Sequence, residues 1–192
     1  MKNGHKMPFC LFISCYNMLS NVDLQNLAIH YHIDLVDICM KDEMPEKVVD
    51  GNYIINLENS EDPDGSYNSG THWLGLKIQG KKACYFDSFG APPPKEICDY
   101  VKKRKGSRLA FNNWDIQDLR SENCGYFSLS FLIYMENDLK TDIFAKFNDY
   151  VNIYEDDTIQ NDALLKNFFR QLRDTQMPQK IKRLLNEKTI KI

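Results

Sequence analysis

The sequence predicts an α+β fold in which a central, mainly antiparallel sheet packs on one buried helix, with further helices at the C-terminus. Three observations lead to this prediction. Strand-like segments cluster in the middle of the chain, helical patterns stand before and after them, and residues 124–135 are almost entirely apolar. A chain of 192 residues suffices for one good hydrophobic core and is short for two, so we expect a single domain over residues 1–192.

The first part of the chain is predicted to hold one helix and one strand. The helix lies in SNVDLQNLAIHYHI, where Ser20 or Asn21 can cap its start. Its apolar stripe comprises Val22, Leu27, Ala28 and Tyr31. An acidic stretch follows, and within it NYIINLE (residues 52–58) is typical of a strand because of its Tyr-Ile-Ile centre. EDPDGSYNSG then has the composition of turns and loops.

The segments HWLGLKI and KACYFD are predicted to form a β-hairpin. With Gln79 and Gly80 as a two-residue turn, the register places His72 directly opposite Asp87. Cross-strand partners lie on the same face with their β-carbons roughly 5 Å apart, so the imidazole and the carboxylate would be neighbours. The alternative is an unrelated His and Asp at exposed strand ends, since a slip of one residue would separate them.

The remaining elements follow from local patterns. APPPKEICDYVKKRK opens with prolines and continues as a helix, and RLAFNNWDI (residues 108–116) is predicted to be a strand. From Thr141 onward the pattern is mostly helical, with NDALLKNFFRQL as the clearest case. Between these lies SENCGYFSLSFLIYM, which changes from polar to apolar at Cys124 and predicts a buried central helix that begins at a surface cleft.

Cys124 is the first candidate functional residue. A thiol in the first turn of a helix faces unpaired backbone N–H groups and the positive end of the helix dipole, which favour the thiolate. Gly125 allows another chain to approach the backbone closely. The alternative is a small core cysteine, but the position of Cys124 at the polar edge of the helix argues against that.

Composition excludes several classes of protein. The 24 basic and 27 acidic side chains give a net charge of -3, so the whole molecule is not a polycation that coats nucleic acid. We find no signal-peptide pattern and no run as long as a membrane span, and expect a soluble, intracellular protein whose six cysteines are thiols. The nearest cysteine pair, Cys10 and Cys15, has no matching second pair, and we expect no metal site.

GTHWLGL, YFDSFG and WDIQDLRSENCGYFSL, in this order, resemble the signature of the adenovirus-type (adenain-like) cysteine proteases, especially their relatives in virophages and Polinton-like elements. The match spans roughly residues 53–135. The same arrangement belongs to proteases that release SUMO and other ubiquitin-like proteins. The resemblance implies a papain-like fold of the adenain type, in which the nucleophile stands at the N-terminus of the central helix.

The resemblance also implies a role for each matching residue. Cys124 would be the nucleophile and His72 its base, while Asp87 would orient His72 and stabilise the imidazolium. Gln117 would donate from its side-chain amide to the oxyanion of the tetrahedral intermediate, with the backbone N–H of Cys124 as second donor. This chemistry requires neither a metal nor an organic cofactor.

Trp73 and Gly125 are the predicted substrate-binding residues. Trp73 has two interpretations: it packs in a core layer, or it covers a narrow substrate channel, as the residue after the histidine does in the related proteases. A channel of that kind admits glycine best. The resemblance therefore implies cleavage at Gly-containing sites in extended peptide segments.

The function implied is an endopeptidase that processes viral capsid or core precursor proteins during virion maturation. Its location would be the host-cell cytoplasm, in viral factories, and the virion interior. The alternative is a protease that deconjugates SUMO or another ubiquitin-like protein.

For the viral branch, the resemblance implies two kinds of activator, a disulfide-linked peptide and DNA. KGSRLAFNNWDIQ contains no cysteine, which argues against disulfide-linked peptide activation. The basic run Lys102, Lys103, Arg104 and Lys105 could contact DNA non-specifically through phosphates, although a solvated helix face is the favoured interpretation of such a run.

Overall fold

The computed structural model describes residues 18–137 and 141–174. Within them, five strands form a single sheet in the order β1-β2-β3-β4-β5, and five helices surround it. The elements in chain order are α1 (Asn21–His30), β1 (Leu35–Met40), β2 (Gly51–Asn56), β3 (Trp73–Gln79), β4 (Lys82–Phe86), α2 (Lys95–Lys102), β5 (Arg108–Phe111), α3 (Cys124–Glu136), α4 (Ile143–Val151) and α5 (Thr158–Asp174).

The sheet is mixed rather than mainly antiparallel. Its three central strands, β2, β3 and β4, are antiparallel, but β1 pairs with β2 and β5 pairs with β4 in parallel. Strand β1 was not predicted from the sequence. It carries Asp37 at a register irregularity, where the carboxylate accepts a hydrogen bond from the Ile38 N–H at 2.8 Å. An edge strand tolerates such a residue because one of its sides needs no partner.

Strands β3 and β4 form the predicted hairpin, but with a register that differs by two residues. Ile78 pairs with Ala83 rather than with Lys81, and the turn consists of Gly80 and Lys81. The direct pairing of His72 with Asp87 is therefore wrong. A shift of two residues nevertheless keeps every side chain on its face, because side chains alternate with a period of two.

Tertiary contacts explain why the hairpin turns at this point. Gly80 has a φ of 57°, the left-handed conformation that glycine adopts at little cost. Its N–H donates to the Asp50 carboxylate at 2.7 Å, and its carbonyl accepts from the Arg104 guanidinium, which also pairs with Asp50. The turn is thus held by residues that a local pattern does not reveal.

The sheet separates two apolar clusters. On one face α2 covers β2, β3 and β4, with Tyr53 and Tyr100 fully buried between them. On the other face the helix α3 packs against β3, and ten of its residues are buried. Gly75 lets α3 come close, because a β-carbon there would lie 2.6 Å from the ring of Phe131. The prediction of a buried central helix beginning near Cys124 is confirmed.

Helix α1 begins as predicted, with a different buried face. Ser20 is its N-cap and forms a capping box with Asp23. Leu24, Leu27 and Ala28 are its buried residues, whereas Val22 is 62% exposed. In the part of the chain that the structure describes, no helix has both the length and the apolar character needed to cross a membrane.

Candidate active site

His72 and Asp87 meet at one end of the β3–β4 hairpin. His72 immediately precedes β3 and Asp87 immediately follows β4, so two antiparallel neighbours bring them together. The His72 Nε2 lies 2.8 Å from Asp87 Oδ1, and both side chains are buried. The Phe89 N–H donates to the same carboxylate oxygen at 2.8 Å, and the Phe89 ring stacks on the imidazole with 4.7 Å between centroids.

Asn112 holds the backbone of Asp87 from the end of β5. Its Nδ2 donates to the Asp87 carbonyl at 2.6 Å, and its Oδ1 accepts from the Asp87 N–H at 3.1 Å. Asn112 was not predicted from the sequence as a site residue. An asparagine in a run that reads as a strand, FNN, is the signal that could have identified it, because Asn is disfavoured inside strands unless its amide has a partner.

Cys124 is the first residue of α3 and lies beside the imidazole. Burial alone lowers the pKa of His72, but the hydrogen bond to Asp87 and the Cys124 thiol outweigh it and raise that pKa from 6.5 to about 9. No described residue forms a hydrogen bond of ordinary geometry with His72 Nδ1, although the neighbouring Cys124 side chain also raises the pKa of His72. At neutral pH the imidazole is therefore protonated.

Gln117 is fully buried in the connection between β5 and α3. Its Oε1 accepts from the Ser88 hydroxyl at 2.7 Å, and its Nε2 donates to the Ser121 carbonyl at 2.7 Å. An amide nitrogen carries two hydrogens, and the bond to the Ser121 carbonyl uses one of them. Ser88, which follows Asp87 in the chain, was not identified from the sequence and orients this amide.

Trp73 and Gly125 are buried against residues that precede and begin α1, Leu19 and Leu24. Trp73 is 5% exposed, and its indole N–H donates to the Leu19 carbonyl at 2.7 Å. A β-carbon at Gly125 would lie 3.2 Å from Leu19 and 3.3 Å from Leu24. The space left by this glycine is thus filled by side chains of the same molecule rather than open to a substrate. A channel roofed by Trp73 stays a prediction.

The basic run at the C-terminal end of α2, residues 102–105, partly bonds to the protein itself. Arg104 donates to the Val48 carbonyl at 2.9 Å in addition to its bonds at the hairpin turn, and Lys103 donates to the Glu46 carbonyl at 3.1 Å. Lys102 and Lys105 are exposed. Contact with DNA through this run stays a prediction. Within residues 18–137 and 141–174, no cluster of three or more His, Cys, Asp or Glu side chains could hold a metal ion, and Cys10 and Cys15 lie outside the described residues.

The arrangement can perform nucleophilic chemistry. A thiol at a helix N-terminus stands beside an imidazolium, which in turn is bound to a buried carboxylate. This is the set of groups that activates a sulfur nucleophile, shuttles one proton and orients the base.

Comparisons with known proteins give partial likenesses in structure alone. The sequence matches no model of a protein family and no curated protein. Two crystal structures of the ASFV pS273R protease match with TM-scores of 0.45 and 0.44, at 16% and 18% identity; each match covers 69% of this chain and 62% of that chain. The structure of ChlaDub1 from Chlamydia trachomatis has a TM-score of 0.40 at 21% identity, covering 63% of this chain and 57% of that chain. The chain thus spans about three fifths of the length of these proteins, and the geometry of the site alone carries a proposal of function.

Proposed function

We propose that the protein is a cysteine protease with Cys124 as nucleophile. The observation that supports this most is the buried hydrogen bond of 2.8 Å between His72 and Asp87, beside the Cys124 thiol. A surface histidine would not be buried against a carboxylate and stacked on a phenyl ring. A structural ion pair would not need a thiol at the start of a helix on its other side.

The proposed reaction has two halves. The Cys124 thiolate attacks the scissile carbonyl carbon, and the carbonyl oxygen becomes an oxyanion that accepts from the second side-chain N–H of Gln117 and the backbone N–H of Cys124. The His72 imidazolium then gives its proton to the leaving amine as the C–N bond breaks, which leaves a thioester. A water molecule, deprotonated by the neutral imidazole, hydrolyses the thioester and restores the thiolate and the imidazolium.

Two substrate classes fit this proposal. The first is a SUMO- or ubiquitin-like protein, which the enzyme would release from a conjugate or precursor. The second is a viral capsid or core precursor cleaved at a Gly-containing site, in the cytoplasm of an infected cell or in the virion. The order of histidine, acid, glutamine and cysteine is shared by proteases of both classes, and the substrate panel distinguishes them.

A substrate panel tests the proposal. The purified protein is incubated with SUMO and ubiquitin fusions, with capsid precursor protein and with Gly-containing peptides, and the Cys124→Ala variant serves as control. We expect the wild type to cleave at least one of them and the variant to cleave none, with an unchanged circular dichroism spectrum because loss of one sulfur creates little cavity. Equal cleavage by the variant would refute the role of Cys124, and the substrate that is cleaved assigns the class.

A further inference from the structure

The start of α5 is bonded to the connection that carries Gln117 and leads into Cys124. Two consecutive side chains make these contacts, Asn161 and Asp162, which are only 2% and 5% exposed. Both lie in the C-terminal region from Thr141, for which the sequence shows no functional motif.

Asp162 accepts two hydrogen bonds from this connection. Its Oδ2 accepts from the Asp118 N–H at 2.9 Å, and its Oδ1 accepts from the side-chain amide of Asn123. Asp118 is the residue after Gln117, and Asn123 is the N-cap of α3, directly before Cys124. A single carboxylate therefore connects the neighbours of both residues.

Asn161 provides a third attachment. Its Nδ2 donates to the Ile116 carbonyl at 3.1 Å and to the Glu155 carbonyl at 2.6 Å, while its Oδ1 accepts from the Glu155 N–H at 3.0 Å. Ile116 is the residue before Gln117. The backbone on both sides of Gln117 is thus held by α5, whereas the side chain of Gln117 is oriented by Ser88.

This connection has no regular secondary structure of its own, and besides α5 it is held by the loop after β4, where the Ser88 carbonyl accepts from the N–H groups of Ile116 and Gln117. Residues 112–123 contain no helix or strand, and Leu119 is 79% exposed. Burying a carboxylate costs free energy unless hydrogen-bond donors satisfy it. Both donors that satisfy the buried Asp162 come from this one loop, so the carboxylate and the loop stabilise each other. The three contacts from α5 hold the residues next to both groups that would bind an oxyanion.

We propose that Asn161 and Asp162 are positioning residues for the oxyanion hole, so that α5 sets the geometry of Gln117 and of the Cys124 N–H. This inference rests on the proposed protease function. A misplaced donor weakens transition-state binding without changing substrate binding, so the proposal differs measurably from a role in stability alone.

Substitutions at Asp162 separate the two roles. Asp162→Ala removes both acceptor oxygens. Asp162→Asn keeps one oxygen that can accept from the Asp118 N–H, and its new amide N–H can donate to the Asn123 side-chain oxygen if the Asn123 amide flips by 180°. Asn161→Asp, of equal size, removes the donor to Ile116 and serves if the alanine variant does not fold. Asn167→Ala and Asn167→Asp, on the exposed side of α5, are the matched controls.

Three measurements are made on each full-length variant. Hydrogen exchange of the Asp118 amide reports the attachment itself and needs no activity. Steady-state kinetics give kcat and KM separately. The rate of Cys124 alkylation by iodoacetamide reports the thiolate, since this reaction forms no oxyanion.

For Asp162→Ala and Asn161→Asp we expect kcat to fall about 10- to 100-fold, with KM and the alkylation rate within about twofold of wild type. Faster exchange of the Asp118 amide should accompany the loss in Asp162→Ala. Asp162→Asn should retain most of the wild-type kcat and most of the protection of the Asp118 amide from exchange. The Asn167 variants should match wild type in both.

The inference is overturned if kcat is unchanged while the Asp118 amide exchanges faster, or if kcat and the alkylation rate fall together, which would show general loss of structure. If the wild type cleaves no member of the substrate panel, the protease function fails, and this is seen without any variant. Failure of the positioning role is seen only by comparing variants with an active wild type.

Discussion

At the scale of single residues, the buried carboxylate of Asp87 determines the state of His72. Oδ1 of Asp87 faces both the imidazole and the Phe89 N–H, and Asn112 holds the Asp87 backbone. Burial would otherwise keep His72 neutral at pH 7. The pair therefore maintains a protonated imidazole in an apolar site, which is the form that stabilises a neighbouring thiolate.

This state predicts an alkaline limit to activity. As pH rises through about 9, the folded-state pKa of His72, the imidazolium loses its proton and can no longer protonate the leaving amine, so kcat/KM should fall. Asp87→Asn should move this alkaline fall of kcat/KM to lower pH and reduce kcat/KM by orders of magnitude, because an amide does not stabilise the imidazolium. Profiles of kcat/KM against pH for both proteins test this. An unshifted alkaline fall in the variant would show that another group sets the pKa of His72.

The same shift affects stability with a defined sign. Because the pKa of His72 is raised on folding from 6.5 to about 9, its contribution to the free energy of unfolding is fully present below pH 6.5 and is lost as pH rises through about 9.

At the scale of elements, the loop after β4 packs directly on the connection between β5 and α3. Gly90 has a φ of 69°, and a β-carbon there would lie 2.4 Å from the carbonyl carbon of Trp114. The backbone N–H groups of Ile116 and Gln117 both donate to the Ser88 carbonyl, at 2.8 and 2.9 Å. The glycine of the Asp-Ser-Phe-Gly block at residues 87–90 is thus required by the close approach of two backbones.

We predict that Gly90→Ala lowers the free energy of unfolding more than Gly65→Ala does. Both positions have a positive φ, which costs a non-glycine residue about 1–2 kcal/mol, but a β-carbon at Gly65 meets nothing within 4 Å. The difference between the variants, measured by urea denaturation, isolates the clash with Trp114. Activity should fall in Gly90→Ala because the connection carrying Gln117 is displaced. Equal losses of stability in the two variants would mean that the loop moves away without cost.

At the scale of the whole molecule, α3 connects the candidate site to the far part of the sheet. Cys124 is its first residue and Glu136 its last. The Glu136 carboxylate pairs with the buried Lys77 of β3 and accepts from the Asn52 amide of β2 at 2.8 Å. Burial alone would raise the pKa of Glu136, but the bonds from Lys77 and Asn52 outweigh it and hold that pKa below 4.5.

The position of this ion pair predicts an acid limb of stability. Since the pKa of Glu136 is lowered on folding, its contribution is present above pH 4.5, its value in the unfolded chain, and is lost as pH falls through the lower folded-state pKa. Glu136→Gln should therefore reduce stability at pH 7 and flatten its decline below pH 4.5. Thermal unfolding from pH 3 to 7 provides the measurement.

The exposed pair Lys95–Asp99 supplies the control for this prediction. Asp99→Asn should leave the acid limb almost unchanged, because exposed ion pairs contribute little to stability. If the stability of Glu136→Gln declined as steeply below pH 4.5 as that of the wild type, the acid sensitivity would come from another group and not from Glu136.

Local patterns in the sequence determined much of the secondary structure. The apolar run after Cys124 predicted α3, Ser20 predicted the start of α1, and the prolines before Lys95 marked the start of α2. His72 and Asp87 were expected to be neighbours, and the structure has them hydrogen-bonded although the register was wrong by two residues. A register slip of two residues leaves each side chain on the same face of the sheet, since alternate side chains share a face.

Only the tertiary structure decided the parallel edges of the sheet and what surrounds the candidate site. Strand β1 is stabilised by its pairing with β2, and no local pattern marks Asp37 as a strand residue. The indole of Trp73 meets the Leu19 carbonyl across 54 positions, and Asp162 meets the Asp118 N–H across 44. Propensity and periodicity act over one or two turns of chain, whereas these bonds form between segments that come together only when the sheet and α3 pack. The sequence by itself therefore determined the elements and the candidate chemical groups, and the packing of distant segments decided how those groups are held.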